Sequence, residues 1–146
     1  MEKGIKTNTK QINNYKMKTE EYFKGINKIQ FEGKESKNPL AFKYYNPDQV
    51  VAGKKMRDHF KFAIAYWHTF CGQGADPFGP GTQKFPWGKS SDPIEAAKHK
   101  ADAAFEFLDK IGFDYYCFHD FDLIDEGKTI VESEKSFMHT QANLKW

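Results

Sequence analysis

The densest chemistry in this chain sits at Phe118-His119-Asp120-Phe121-Asp122. A histidine just past a buried strand, with a carboxylate three residues on, can have its imidazole oriented by that carboxylate. The pairing selects the tautomer and raises the basicity of the other ring nitrogen. On this reading His119 and Asp122 are the candidate acid–base pair, suited to proton transfer near neutral pH. The plainer alternative is a hydrogen-bonded strand-end histidine, with Asp120 and Asp122 solvated or capping the next helix. Spacing by itself does not separate the two.

Trp67-His68 and Asp76-Pro77-Phe78-Gly79 are the second group of interest. Flat ring faces suit the C–H faces of a sugar and exclude water, so Trp67 and Phe78 are candidates for an aromatic wall in a binding pocket. Core packing for Trp67 and a packed turn for Phe78 are the plainer alternatives. Asp122, Asp125 and Glu126 invite a metal, but a hard cation needs more converging oxygens than one short loop offers. No GxGxxG, Walker loop, HExxH, GxSxG or CxxC pair occurs, which leaves dinucleotide, P-loop, zincin and serine-hydrolase chemistry without support.

Both groups need elements to hold them. Ser91-Asp92-Pro93 opens a helix whose apolar stripe is Ile94, Ala97, Ala101, Ala104, Phe105 and Leu108, and Gly112 closes it. Met56, Phe60, Ala63, Ile64 and Trp67 fit a helical face while Phe62, Ile64 and Tyr66 fit strand alternation; with Lys61 as the only charge from Phe60 to Phe70 and a Gly-rich loop at its end, the stretch reads as a buried strand, and Phe113 to Phe118 as a second one. Strand, loop, helix and strand make a βαβ unit with a right-handed crossover, in which ligand groups collect at the carboxyl ends of the strands. Tyr66-Trp67-His68 and His119 to Asp122 fall at those ends. Between them, residues 72–92 form a long Gly/Pro loop of tight turns displaying Phe78, Phe85 and Trp87. Asn46 as cap and Pro47 at the first position predict a helix from Pro47 to about Asp58. Tyr22 to Phe31 reads as an ordered lead-in rather than a helix.

The chain has 146 residues, the length of one ordinary domain, with 39% apolar and 29% charged residues and a mean hydropathy of −0.77. The longest uncharged stretch, Phe62 to Ala75, is interrupted by His68 and Gln73, which excludes a membrane-spanning helix of about 20 apolar residues. An aromatic content of 16% argues for a folding sequence. Net charge is +2, yet Lys3, Lys6, Lys10, Lys16 and Lys18 against Glu2 concentrate +4 in residues 1–18 and leave −2 on the rest. Basicity confined to an arm argues against nucleic-acid binding. Residues 1–18 read as a flexible Lys/Asn-rich extension without a secretory signal, and residues 19–146 as the folded part; Met17 is an alternative start to Met1. Cys71 and Cys117 lack metal spacing and read as buried free thiols in a reducing cytoplasm.

Several blocks resemble the N-terminal part of the xylose isomerases, in their long-chain class with an N-terminal extension. They are Tyr22-Phe23, Phe31-Glu32-Gly33, Ser36-Lys37-Asn38-Pro39-Leu40-Ala41-Phe42, Gly53-Lys54-Lys55-Met56, Tyr66-Trp67-His68-Thr69-Phe70, Asp76-Pro77-Phe78-Gly79, Ala103-Ala104-Phe105-Glu106-Phe107 and Cys117-Phe118-His119-Asp120. The resemblance covers about residues 20–135. It implies an α/β fold of the TIM (β/α)8 barrel type, present here only as an N-terminal portion, and a D-xylose to D-xylulose isomerisation by ring opening and a metal-assisted 1,2-hydride shift. It implies that His119 assists ring opening at the sugar oxygens, that Asp122 orients His119, that Trp67 lines the sugar pocket, and that Phe78 enters the pocket of a neighbouring subunit in a homotetramer.

The resemblance also implies two divalent cations, Mg2+ or alternatively Mn2+ or Co2+, whose ligands lie on later strands outside this chain. A complete barrel takes roughly 250 residues, so the chain reads as the extension plus about two β/α units, a truncated, mis-spliced or frameshifted product. The ending after about Lys135 fits poorly with the family's continuing amphipathic helix. The expected protein is a cytoplasmic isomerase of pentose metabolism acting on a small sugar, with no nucleic-acid or membrane partner. The alternative is a non-catalytic fragment or interaction module that lacks the metal site and associates with intact subunits.

Overall fold

The computed structural model describes residues 20–143. The expected extension at 1–18, with its alternative start at Met17, lies outside them. In chain order the elements are β1 (Val50–Val51), β2 (Lys54–Lys55), α1 (Met56–His59), β3 (Ala63–Ala65), a π-helical turn (Trp67–Cys71), a 3₁₀ turn (Pro86–Lys89), α2 (Pro93–Ile111), β4 (Tyr115–Cys117), α3 (Asp120–Leu123) and α4 (Ile130–Asn143).

The βαβ unit forms as expected. β3 and β4 pair in parallel, Ala63 with Tyr115, Ile64 with Tyr116 and Ala65 with Cys117, and α2 crosses between them. Local chemistry sets both ends of α2. The Asp92 carboxylate accepts from the Ile94 N–H at 2.9 Å, and Pro93 has no N–H to leave unpaired. At the other end Gly112 takes φ 75°, a left-handed conformation that costs glycine nothing, and its N–H reaches the Leu108 carbonyl at 2.9 Å. The buried face is Ala97, Ala101, Ala103, Ala104 and Leu108. Small side chains let the helix approach the aromatic layer of Tyr66, Phe70 and Trp87, and with Leu123 these form the core. Phe105, expected on the buried stripe, is only half-buried, and Ala103 takes its place.

The expected helix from Pro47 to Asp58 does not form; β1, β2 and the four-residue α1 occupy that stretch. The Asn46 carboxamide accepts from the Asp48 N–H at 3.1 Å, closing a local turn in place of a helix cap. Ala52 at φ 48° and Gly53 at φ 79° then make a two-residue hairpin turn that joins Val51 to Lys54. The strand expected over Phe60 to Phe70 is confined to Ala63–Ala65 and is not buried throughout, since Phe60 and Phe62 are exposed. Within the described residues β3 has one neighbour, β4, so only part of its surroundings is filled. Of the loop aromatics, Trp87 is core rather than display: it is 7% exposed, and its indole N–H donates to the Phe70 carbonyl at 3.2 Å. The cysteines are free, but Cys117 is exposed and Cys71 only partly buried. The chain after Lys135, expected to depart from a helix, continues α4 to Asn143, with Phe137 packed on the core and Thr140 buried.

The lead-in is ordered without being helical, and charge clips it to α2. The Glu106 carboxylate accepts from the Tyr22 N–H at 2.7 Å, the Phe23 N–H at 3.0 Å and Lys110 at 2.8 Å. The Tyr22 ring meets Trp87 and Phe23 meets Phe107. Partial burial, the largest single influence on the Glu106 carboxyl, pushes its pKa up; the hydrogen bonds from Lys110, Tyr22 and Phe23 together outweigh it and hold the pKa below the ordinary glutamate value. A carboxyl depressed in the folded state stabilises the fold above the ordinary glutamate range, and that contribution fades as pH falls through the folded value. Glu106→Gln is therefore expected to lower stability by about 1.5 kcal/mol at neutral pH, with the difference shrinking in acid. Urea midpoints at pH 7 and below pH 4 check this, and a difference that grows in acid contradicts it.

Among the described residues the strands form two separate pairs and no closed barrel. The described residues make a partial α/β piece built on one parallel unit.

Candidate active site

Parallel pairing puts the two sequence groups side by side. Ala65 faces Cys117, so Trp67 and His119 each lie two residues past the last matched pair, at the carboxyl ends of β3 and β4. Their rings meet, with centroids 4.6 Å apart and planes inclined by 45°. Phe121 stacks on the imidazole at 5.3 Å with planes within 4°. Phe121 was not among the candidates read from the sequence, because its spacing of two from His119 carries no signal for stacking.

His119 immediately precedes α3, and Asp122 lies in its first turn. A single carboxylate oxygen of Asp122, Oδ2, accepts from the His119 N–H at 2.7 Å and meets ring Nδ1 at 3.0 Å. A carboxylate only accepts, so Nδ1 is assigned as the N–H donor of this contact. Asp122 is 4% exposed, whereas the His119 side chain is 52% exposed. A buried carboxylate thus holds a half-exposed histidine, an arrangement that suits a general acid or base. The plainer alternative holds in part, since Asp122 also caps the backbone of α3, but it is not solvated. Asp120 is solvated, and it accepts from the Phe121 N–H at 2.9 Å.

A second layer backs this pair. The Cys71 thiol donates to the Asp122 carbonyl at 3.4 Å, and the Lys100 ammonium lies 3.7 Å from the Cys71 sulfur. Burial pushes the Cys71 thiol pKa above its ordinary value despite the nearby lysine. A cleft of about 1520 Å3 opens on this side, lined by Phe70, Cys71, Lys100, Asp122 and the 81–90 loop. Neither Trp67 nor His119 lines that cleft, so it opens on the Asp122 side of the His119–Asp122 contact.

His68 is exposed, with its ring 5.5 Å from Trp67. Phe78 is not brought to the site. It stands on a tight turn in which Asp76 and Gly79 exchange backbone hydrogen bonds, both of 3.2 Å, and the Asp76 carboxylate accepts from the Phe78 N–H at 2.9 Å. At 97% exposed its ring packs on neither Trp67 nor His119. Among the described residues no group of three or more His, Cys, Asp or Glu side chains converges to hold a metal ion, and no helix is long and apolar enough to cross a membrane.

No family model matches the chain. Against curated proteins it is 57% identical over 129 residues to a xylose isomerase of Phocaeicola vulgatus, a match covering 88% of this chain and 30% of that protein. It is 54% identical over 129 residues to the xylose isomerase of Bacteroides thetaiotaomicron, with the same coverage. It is 56% identical over 119 residues to xylose isomerase 1 of Xanthomonas campestris pv. campestris, covering 82% of this chain and 27% of that protein. The chain is similar to these xylose isomerases and spans about 30% of the length of the relatives it matches.

Proposed function

We propose that this chain forms part of a xylose isomerase, interconverting D-xylose and D-xylulose. The observation that carries the reading is the Trp67–His119–Asp122 arrangement at the carboxyl ends of a parallel βαβ unit. In this reading Nε2 of His119 moves the proton at the sugar oxygens during ring opening. Asp122 holds the imidazole in register and balances the imidazolium as it forms, and Trp67 presents a flat face to the sugar. Phe78, raised on its turn, reaches the pocket of a neighbouring subunit in a homotetramer. The fold is a TIM barrel in which β3, α2 and β4 are one β/α unit with its following strand, and the enzyme is cytoplasmic.

Two divalent cations, Mg2+ or alternatively Mn2+ or Co2+, would polarise the opened sugar for the hydride shift. The side chains described do not fit such a site, since no three metal-ligating groups converge. Their ligands are assigned outside this chain, and no metal-dependent step is given to its residues.

A second reading is a non-catalytic piece that associates with intact subunits. It is favoured by β3 and β4, each of which has an unpaired outer edge among the described residues, and by the exposure of Phe78. Unpaired edges and uncovered aromatics are surfaces for association. One experiment tests both readings: D-xylose with Mg2+ or Mn2+ is given to the purified chain, and to the product extended through the codons after residue 146. We expect D-xylulose from the extended product alone. Turnover by the 146-residue chain overturns the second reading, and turnover by neither overturns the first.

A further inference from the structure

Phe121 is 57% exposed, so the core gains little from its ring. What the ring bears on is the imidazole of His119, with centroids 5.3 Å apart and planes within 4°, the separation and tilt of an offset aromatic stack. Phe121 also lines the cleft of about 1520 Å3, which His119 itself does not reach. Its ring therefore walls the imidazole off from that cleft.

The imidazole has need of such a contact. The torsion that sets the plane of a histidine ring is broad, and the His119 side chain is 52% exposed, so core packing does not confine it. Asp122 Oδ2 meets ring Nδ1 at 3.0 Å, which fixes one atom of the ring and leaves its plane free to tilt about that atom. Trp67 comes within 4.6 Å at an inclination of 45°, which limits the tilt without defining a plane. A parallel ring defines one. The first turn of α3 delivers it in register, because the same short backbone carries every part. The Asp122 carboxylate accepts from the His119 N–H at 2.7 Å, the Asp122 N–H donates to the His119 carbonyl at 3.1 Å, and Asp120 accepts from the Phe121 N–H at 2.9 Å. The backbone of Phe121 is thus tied to the residue whose ring it covers.

We propose that Phe121 is a positioning residue: its stacked ring sets the plane of the His119 imidazole and keeps Nδ1 on Asp122, so that the ring that moves the proton does not swing away from its carboxylate. The inference rests on the acid–base reading of His119 and Asp122.

Phe121→Leu tests it, because leucine keeps an apolar side chain and removes the flat face. In the variant the Nδ1–H tautomer of His119, read from imidazole 15N shifts, is expected to fall about threefold relative to the other tautomer, the scale of one lost ring stack. In the active isomerase kcat is expected to fall about tenfold at unchanged KM. The urea midpoint should stay in place, since the side chain is more than half exposed. Phe121→Tyr retains the ring and is expected to keep both the tautomer ratio and kcat. An unchanged ratio in Phe121→Leu overturns the proposal, and so does a Phe121→Tyr variant as impaired as the leucine one. A rise in KM at unchanged kcat overturns it too, since the ring would then act on the sugar and not on the imidazole. If the parent does not turn over D-xylose but the ratio falls in Phe121→Leu and holds in Phe121→Tyr, this inference stands and the assigned reaction falls.

Discussion

Replacing His119 by alanine in the active isomerase is expected to lower kcat for D-xylose by about 10²-fold to 10⁴-fold, the range for losing one positioned acid–base group. The fold should tolerate the change, because the His119 side chain is half exposed and removing it leaves no cavity. Metal binding should also persist, since among the described residues His119 belongs to no cluster of metal-ligating groups. Asp122→Ala should behave differently and so separates orienting from reacting. It withdraws the acceptor of the ring and also that of the His119 backbone N–H, so activity falls and stability drops by about 1–3 kcal/mol. Steady-state kinetics beside urea melts of both variants decide the matter. Unchanged turnover in both removes the acid–base assignment, and a stability loss in His119→Ala as large as that in Asp122→Ala removes the division of roles.

The largest effect on stability is expected from Phe70→Ala. Phe70 is 2% exposed, and its ring touches three other aromatics, Tyr66, Trp87 and Phe107, at centroid distances of 5.2 to 5.8 Å. It sits where the π-helical turn, the 3₁₀ turn and α2 converge, so nothing nearby can collapse into the space without dragging an element along. Truncations of this kind cost about 3–5 kcal/mol, a large part of the roughly 5–15 kcal/mol that holds a domain together. Phe70→Leu, which conserves more of the volume, should lose less than half as much. Denaturant midpoints of the two variants give the comparison. A loss under about 1 kcal/mol for the alanine variant would mean that the Tyr66–Phe70–Trp87 layer is not the core of this fold.

What could be read from the sequence was what short-range chemistry specifies. The ends of α2 depend on Asp92, Pro93 and Gly112 acting on neighbours within four residues, and the structure places them as expected. The His119–Asp122 contact is likewise a matter of three residues. Failures came where local signals compete or where a distant partner decides. Asn46-Pro47 suits a helix start and a tight turn equally, and the left-handed Ala52 that selects the hairpin has no mark in its side chain. Trp87 looked like a displayed loop aromatic because its partner Phe70 lies 17 positions away. Tyr66, Cys71 and Lys100 come together only through tertiary packing, and no motif announces them. Exposure of Cys117 follows from which neighbours β4 has, which composition cannot convey.

The register of the parallel pair bears on which length changes this chain can survive. Trp67 and His119 meet because each is counted two residues beyond a matched pair of strand residues. An in-frame codon gained or lost between Cys117 and His119 would change that count and turn the imidazole to the opposite face of the strand end, however conservative the residue added. The same codon in the exposed part of the loop, at Thr82 to Lys84, would alter only the path of a connection that no strand measures. Insertions and deletions should therefore be purged sharply at the ends of β3 and β4 and accumulate in the loop between them, a pattern of tolerance set by counting rather than by residue type.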